Sequence, residues 1–244
     1  MSIDLSIIIP AYNEEARIAS TLETILCNAE GSDRRVEIII VDDHSQDNTE
    51  QIIKHFVKNS TVVKYIRNSH NRGKGYSVKQ GVLVAQGDYI LFTDADNSTP
   101  IEEVEKLLFL IQAGRCDIAI GSRALALSKI EIKQPFYRMA MGKIFNIFVR
   151  MILGINIRDS QCGFKCFPKK IAKRIFSLQH LERFCFDAEL IFIAKLKKYR
   201  VKEVPIVWRN SEASKVNPIK DSTRMFFDLL KIRQHHLHGH YEDS

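Results

Sequence analysis

Short apolar runs alternate with segments of helical period through the first half of the chain. Residues 5–10, 36–42, 62–67, 89–93 and 117–121 are Ile-, Val- and Leu-rich runs bounded by polar, Gly or Pro positions. They predict strands buried on both faces. Between them the 3.6-residue period predicts helices over 14–28, 47–58, 74–85 and 101–113. Asp47 or Asn48 stands at the cap of the second, and Thr99-Pro100 opens the fourth with Glu102 and Glu103 at its positive end. This alternation predicts an α/β fold: a three-layer sandwich around a mostly parallel sheet. Ligands in such sheets lie at the carboxyl ends of the strands. There the chain carries Pro10-Ala11-Tyr12-Asn13-Glu14, Asp42-Asp43-His44-Ser45 and Asp94-Ala95-Asp96.

The character changes after Arg123. Residues 136–157 form one apolar segment in which Lys143, Asn146 and Arg150 share a narrow stripe. Such a helix is either buried on most sides or lies in a membrane interface with its basic residues at headgroup level. A helix near 185–198, a strand at 203–209 and a final helix near 223–235 follow, and the histidines at 235, 236, 238 and 240 read as a mobile polar tail. With no internal repeat or linker, residues 1–244 are expected to form a single domain.

Composition narrows the class. Hydrophobic residues make up 45% and charged residues 27%, which excludes disordered and collagen-like chains. No apolar run exceeds five residues, so no conventional membrane-spanning helix is expected, and the first residues lack the pattern of a signal peptide. Five irregularly spaced cysteines suit reduced thiols, and zinc at Cys162 and Cys166 is not expected without a second ligand pair. The picture is a soluble or peripherally attached intracellular domain. Charge is uneven: residues 1–122 carry 12 Lys/Arg against 18 Asp/Glu, and residues 123–244 carry 24 against 11. A basic half implies an anionic partner or simply a solvated basic surface. Nucleic acid is not the expected partner, because no zinc-finger, helix-turn-helix or RNP-like pattern accompanies the charge.

Asp94 and Asp96 carry the sharpest chemistry. Side chains two apart in an extended strand point the same way, and two adjacent carboxylates repel unless a cation neutralises them. Such hard oxygen ligands suit Mg²⁺ or Mn²⁺ bridging to substrate phosphates; the alternative is a solvated turn. Asp42 and Asp43 add a second acidic pair. Asn71-Arg72-Gly73-Lys74-Gly75 leads into a helix; its glycines and cations can approach an anion, and taken alone the stretch reads more often as a helix-start loop.

Together these pieces resemble the family 2 glycosyltransferases of the GT-A fold. The matching motifs, in family order, are IIIPAYNEE at 7–15, VDDHSQDNT at 41–49, NRGKG at 71–75, TDADNST at 93–99 and GSR at 121–123. DSQCGFKCF at 159–167, FDAEL at 186–190, EVPIVW at 203–208 and SK at 214–215 continue the resemblance and look like the dolichyl-phosphate glucosyltransferase branch.

The resemblance implies inverting transfer of a sugar, with UDP-glucose leading, to a polyprenyl phosphate at the cytoplasmic membrane face. It divides the chain into a nucleotide-sugar half, 1–122, and an acceptor- and membrane-facing half, 123–244, with a C-terminal helical extension on the acceptor side. Pro10, Ala11, Tyr12, Glu14, Asp42, Lys74 and Asp94 would contact the donor, with Lys215 on a phosphate. Asp96, with Asp94, would hold Mg²⁺ or Mn²⁺; Arg123 and Arg138 would meet the acceptor phosphate. Asp96, Arg123 and Asp187 are the implied catalytic residues, Asp187 being either an orienter of a hydroxyl or a helix N-terminal carboxylate. A phosphate monoester is largely dianionic at pH 7, so such an acceptor needs no strong base. Two positions depart from the pattern: His44 replaces a glycine, and Phe184-Cys185 replaces a tryptophan. Transfer of another sugar, such as mannose from GDP-mannose, a saccharide acceptor, and a nucleotide-binding module without turnover remain the alternatives.

Overall fold

The computed structural model describes residues 3–132, 135–210 and 218–242. The first half follows the predicted order: β1 (Leu5–Ala11), α1 (Ile18–Glu30), β2 (Val36–Asp42), α2 (Thr49–Asn59), β3 (Val63–Arg67), α3 (Lys74–Val84) and β4 (Tyr89–Phe92). A 3₁₀ turn over Ile101–Glu103 leads into α4 (Val104–Gln112), and then comes β5 (Ile118–Ser122). Helix α1 starts four residues later than its period predicts, because Asn13 takes φ +53° and the Glu14 N–H donates to Thr49 Oγ1 at 2.7 Å. At α2 the capping position is Asn48, while the Asp47 carboxylate accepts the Thr49 N–H at 3.0 Å.

Beyond Arg123 run β6 (Lys129–Ile132), α5 (Phe136–Leu153), β7 (Lys165–Pro168), α6 (Lys169–Ser177), α7 (Phe186–Leu196), β8 (Val201–Pro205), β9 (Val207–Arg209) and α8 (Pro218–Leu237). Seven strands form one sheet in the order β3-β2-β1-β4-β7-β5-β8, all parallel except β7, which runs against both neighbours. The strand expected over 203–209 is two strands: β8 closes the large sheet, and β9 pairs with β6 in a separate two-stranded sheet.

Strand alternation divides the apolar side chains between two cores. Ile8, Ile39, Ile90, Phe92 and Ile120 face one layer, with Val78 and Val82 of α3, Phe176 of α6 and Phe192 of α7. Ile7, Ile9, Ile38, Ile40 and Leu91 face the other, with Leu22 of α1 and Leu107 of α4. Phe92 anchors the first core, its ring 5.8 Å from that of Phe186 and 6.4 Å from those of Phe167 and Phe176.

The long apolar segment is one helix with a buried side and an exposed side. Val149 and Leu153 are buried, and Phe148 meets Phe226 of α8 edge-on at 5.2 Å. On the other side of α5, Ile144, Ile147 and Met151 are 53%, 45% and 74% exposed. The helix stops at Gly154, which takes φ +60° as a left-handed cap. The C-terminal tail is docked rather than mobile: Tyr241 is buried, and its hydroxyl donates to Glu189 of α7 at 2.7 Å.

Candidate active site

The carboxyl edge of the parallel strands opens into a cleft of about 570 Å³. Three turns at this edge need left-handed residues, and Asn13, His44 and Asn97 supply φ of +53°, +65° and +49°. Asn and His tolerate that region better than most side chains. His44 thus stands in the left-handed region that favours glycine, with Nδ1 3.3 Å from the Asn68 carbonyl.

Strand β4 ends at Phe92, so Asp94 and Asp96 sit in a turn and not on an extended strand. The same-side argument fails there, yet both carboxylates line the cleft. Asp94 Oδ1 lies 2.6 Å from Lys74 Nζ. Its carboxylate also packs against Gly163, where an added Cβ would collide with it and push it from its place. Asp96 Oδ1 accepts the Ser98 N–H at 3.0 Å, and Oδ2 lies 3.9 Å from Arg17 Nη1. Burial, and then the neighbouring Asp94 charge, hold the Asp96 carboxyl above the usual carboxylate range. For Lys74, burial opposes the charge, but Asp94 and Asp187 outweigh it and keep the ammonium well above its ordinary value.

The second acidic pair divides its work. Asp42 does not line the cleft; it is fully buried, accepting the Ser45 N–H at 2.9 Å and the Tyr65 hydroxyl at 3.1 Å. Asp43 does line it and accepts the Arg72 and Gly73 N–H groups at 2.9 and 2.7 Å, which fixes the loop before Lys74.

The antiparallel strand delivers its beginning, not its end, to this edge. Lys165 opposes Phe92 in register and is fully buried. Its ammonium pairs with Asp187 at the start of α7, whose carboxylate reaches the cleft. Burial raises the Asp187 carboxyl, while Lys165 and Lys74 pull it down without fully offsetting that. Arg123, just past β5, grips Asp159 through Nε at 2.7 Å and Nη2 at 2.8 Å, and its guanidinium carbon stands 5.3 Å from the Trp208 ring centre. Glu203 of β8 holds the Asp159 N–H at 3.0 Å and the Ser122 hydroxyl at 2.6 Å.

The cleft thus has two characters. A polar set, Glu14, Arg17, Lys74, Asp94 and Asp96, shares the lining with apolar side chains, Met141 and Phe145 of α5, Phe184, and Met225 of α8. Of the sequence-predicted residues, Pro10, Ala11, Tyr12, Glu14, Lys74, Asp94, Asp96, Arg123 and Asp187 line it, and Asp42 does not. Lys215, with Ser214, lies outside the described residues, as does the side chain of Arg138. Sequence reasoning missed Arg17, Asp159 and Lys165. A hint existed for Arg17, three residues after Glu14, whose carboxylate it grips.

The donor set fits a divalent cation. Two carboxylates of like charge share one turn, and one of them is held back from ionising. Among the described residues no third His, Cys, Asp or Glu joins them in a ligand cluster. Mg²⁺ and Mn²⁺ sites commonly take only one or two carboxylates and complete their shell with phosphate oxygens and water.

Solved structures share this architecture. Glucosyl-3-phosphoglycerate synthase from Mycobacterium tuberculosis, solved with Mn²⁺, UDP and glucosyl-3-phosphoglycerate, matches with a TM-score of 0.69 at 19% identity, covering 95% of this chain and 78% of that one. Staphylococcus aureus TarS with UDP-GlcNAc matches at 0.59 and 18% identity, covering 94% and 66%. At that identity the likeness shows the GT-A fold. Among curated proteins, the dolichyl-phosphate beta-glucosyltransferase of Saccharomyces cerevisiae is 38% identical, over 98% of this chain and 77% of its own length. Those of Dictyostelium discoideum and Homo sapiens are 34% and 35% identical, each matched over 76% of its length and over 98% and 96% of this chain. The model of glycosyl transferase family 2 matches residues 6–176. By family model and by relatives aligned over most of both chains, the protein belongs to glycosyl transferase family 2.

Proposed function

We propose that the protein transfers glucose, with inversion, from UDP-glucose to a dolichyl-type polyprenyl phosphate at the cytoplasmic face of a membrane. The observation that carries this reading is the mixed lining of one cleft: acidic and cationic groups suited to a nucleoside diphosphate, together with Arg123 and apolar side chains of α5 and α8. Relatives named as dolichyl-phosphate beta-glucosyltransferases support the choice of sugar and lipid.

In this reading Pro10, Ala11, Tyr12 and Glu14 bind the nucleotide, and Asp94 and Asp96 hold Mg²⁺ or Mn²⁺. When bound, that cation stabilises the negative charge on the departing diphosphate. Lys74 and Arg17 add donors to the same phosphates. Arg123 receives the acceptor phosphate through Nη1, the one guanidinium nitrogen not bonded to Asp159 among the described contacts. A dianionic acceptor is already nucleophilic, so the protein's contribution is in-line positioning and exclusion of water. Asp187, fixed by Lys165, orients a sugar hydroxyl.

Among the described residues no helix is long and apolar enough to cross a membrane. The exposed stripe of Ile144, Ile147 and Met151 on α5, with Phe227 and Leu230 of α8, is instead the surface that meets lipid. The same two helices send Met141, Phe145 and Met225 into the lining of the cleft.

The test is product analysis with purified protein, UDP-glucose, polyprenyl phosphate and Mn²⁺, with GDP-mannose as the rival donor. The reading expects a β-linked glucosyl phosphate by NMR. An α-linked product, or preferential use of GDP-mannose, would overturn it.

A further inference from the structure

Lys74 occupies a position that the proposed reaction does not require of a simple phosphate-binding lysine. Its main chain is fixed from three sides. Asp43 accepts the two preceding N–H groups, Gly73 takes φ +112°, and an added Cβ on Gly73 would meet the Glu182 carbonyl and the Arg183 side chain at 2.7 Å. From this anchor the side chain reaches Asp94 at 2.6 Å. The Asp94 carboxylate is thereby held between the Lys74 ammonium and the Gly163 backbone. A second anion, Asp187, acts on the same ammonium, but Asp187 is already paired with buried Lys165. Asp94 is therefore neutralised by a cation of the chain itself, one carried on a flexible four-carbon stem.

A divalent cation arriving alone must compete with that ammonium for Asp94. A nucleoside diphosphate arriving with the cation changes the balance, because it brings phosphate oxygens that the released ammonium can take in place of the carboxylate. We propose that Lys74 is an exchangeable counter-ion, holding Asp94 in the empty cleft and passing to a donor phosphate when the divalent cation takes Asp94. The inference rests on the proposed function for the presence of that cation and that donor. Its consequence is that the cation binds weakly without nucleotide. Its binding is coupled to the nucleotide through Lys74 as well as through direct coordination, and by linkage each ligand strengthens the other equally.

The experiment titrates Mn²⁺ into the purified protein, with and without UDP, and reads free Mn²⁺ by electron paramagnetic resonance. The variants are Lys74→Gln, Lys74→Met and, as a control for loss of one positive charge elsewhere in the cleft, Arg183→Gln. Circular dichroism selects the folded variants. Without UDP, the Lys74 variants should bind Mn²⁺ on the order of tenfold more tightly than wild type, an ordinary size for a coupling between sites. The Arg183 variant should gain much less, and UDP should strengthen Mn²⁺ binding less in the Lys74 variants than in wild type. Mn²⁺ affinity without UDP that is unchanged or weaker in both folded Lys74 variants overturns the exchange, as does an equal gain in Arg183→Gln. Failure of every protein to bind Mn²⁺ even with UDP overturns the reading of the site itself, and the exchange with it.

Discussion

Single residues in this cleft are set by partners that lie far away in sequence. Arg123 and Asp159 show the cost of separating such a pair. Asp159 is 3% exposed and accepts three hydrogen bonds from Arg123, one of them from its main chain. Burial works against its ionised form, but Arg123 outweighs this and holds the carboxyl below its ordinary value of 3.8. A depressed carboxylate contributes stability that is present above its unfolded value and lost as pH falls through the folded one. Asp159→Asn should therefore cost about 3 kcal/mol near pH 7, because it leaves a largely buried guanidinium without its counter-charge. The deficit relative to wild type should shrink below about pH 4. Urea unfolding of both proteins across pH measures this; a deficit constant down to pH 3 would contradict it.

Asp96 belongs to the same scale. Asp96→Asn removes one charge from the pair facing the donor and keeps the Ser98 N–H acceptor. Turnover should fall about 10²–10³-fold or more while the thermal midpoint stays at or above that of wild type. Unimpaired turnover would remove Asp96 from the chemistry. The sequence made Asp94 and Asp96 visible because two carboxylates after a strand are chemically conspicuous. It hid the role of Asp42, since both members of Asp42-Asp43 look alike until β2 turns the first one inward. Lys165 was hidden for the opposite reason: a lysine between Phe164 and Cys166 gives no sign that it is buried beneath Asp187.

Elements were legible where they were long and regular. The five strands of the first half and the helices between them are written in runs of Ile, Val and Leu whose alternation fills both cores. By contrast β6, β7 and α6 escaped: β6 reads Lys-Ile-Glu-Ile and β7 Lys-Cys-Phe-Pro, neither with the continuous apolar run of β4, and α6 begins directly where β7 ends. The period of 203–209 looked continuous because the change of sheet occurs at Ile206, an apolar residue that interrupts neither pattern. Helix α5 was legible as an element and ambiguous as a surface, and only its packing in the folded core separates the buried Val149 and Leu153 from the exposed stripe. Replacing Ile144, Ile147 and Met151 together with serine should lower liposome binding several-fold while leaving the unfolding midpoint within a few degrees of wild type. Flotation with anionic liposomes is the measurement. Undiminished flotation would move the docking surface elsewhere.

At the scale of the whole molecule, the charge asymmetry seen in the sequence meets across one cleft. Residues 1–122 carry the acidic excess and contribute Glu14, Asp94 and Asp96; residues 123–244 carry the basic excess and contribute Arg123, with the apolar lining from α5 and α8. The strand order brings the halves together: β7 inserts between β4 and β5, so the turn after β4, the start of β7 and the loop after β5 share one edge. No single motif announces that geometry. It follows from reversing one strand in an otherwise parallel sheet. The central claim is that this shared edge carries glucose from a nucleotide to a lipid phosphate. Incubating the purified protein with UDP-[¹⁴C]glucose and polyprenyl phosphate, then counting label in the organic phase with and without a chelator, tests it most directly. The account expects label in the lipid fraction that requires both the phosphorylated lipid and Mg²⁺ or Mn²⁺. Label that stays in the aqueous phase with all components present, or enters the lipid fraction undiminished in chelator, would contradict it.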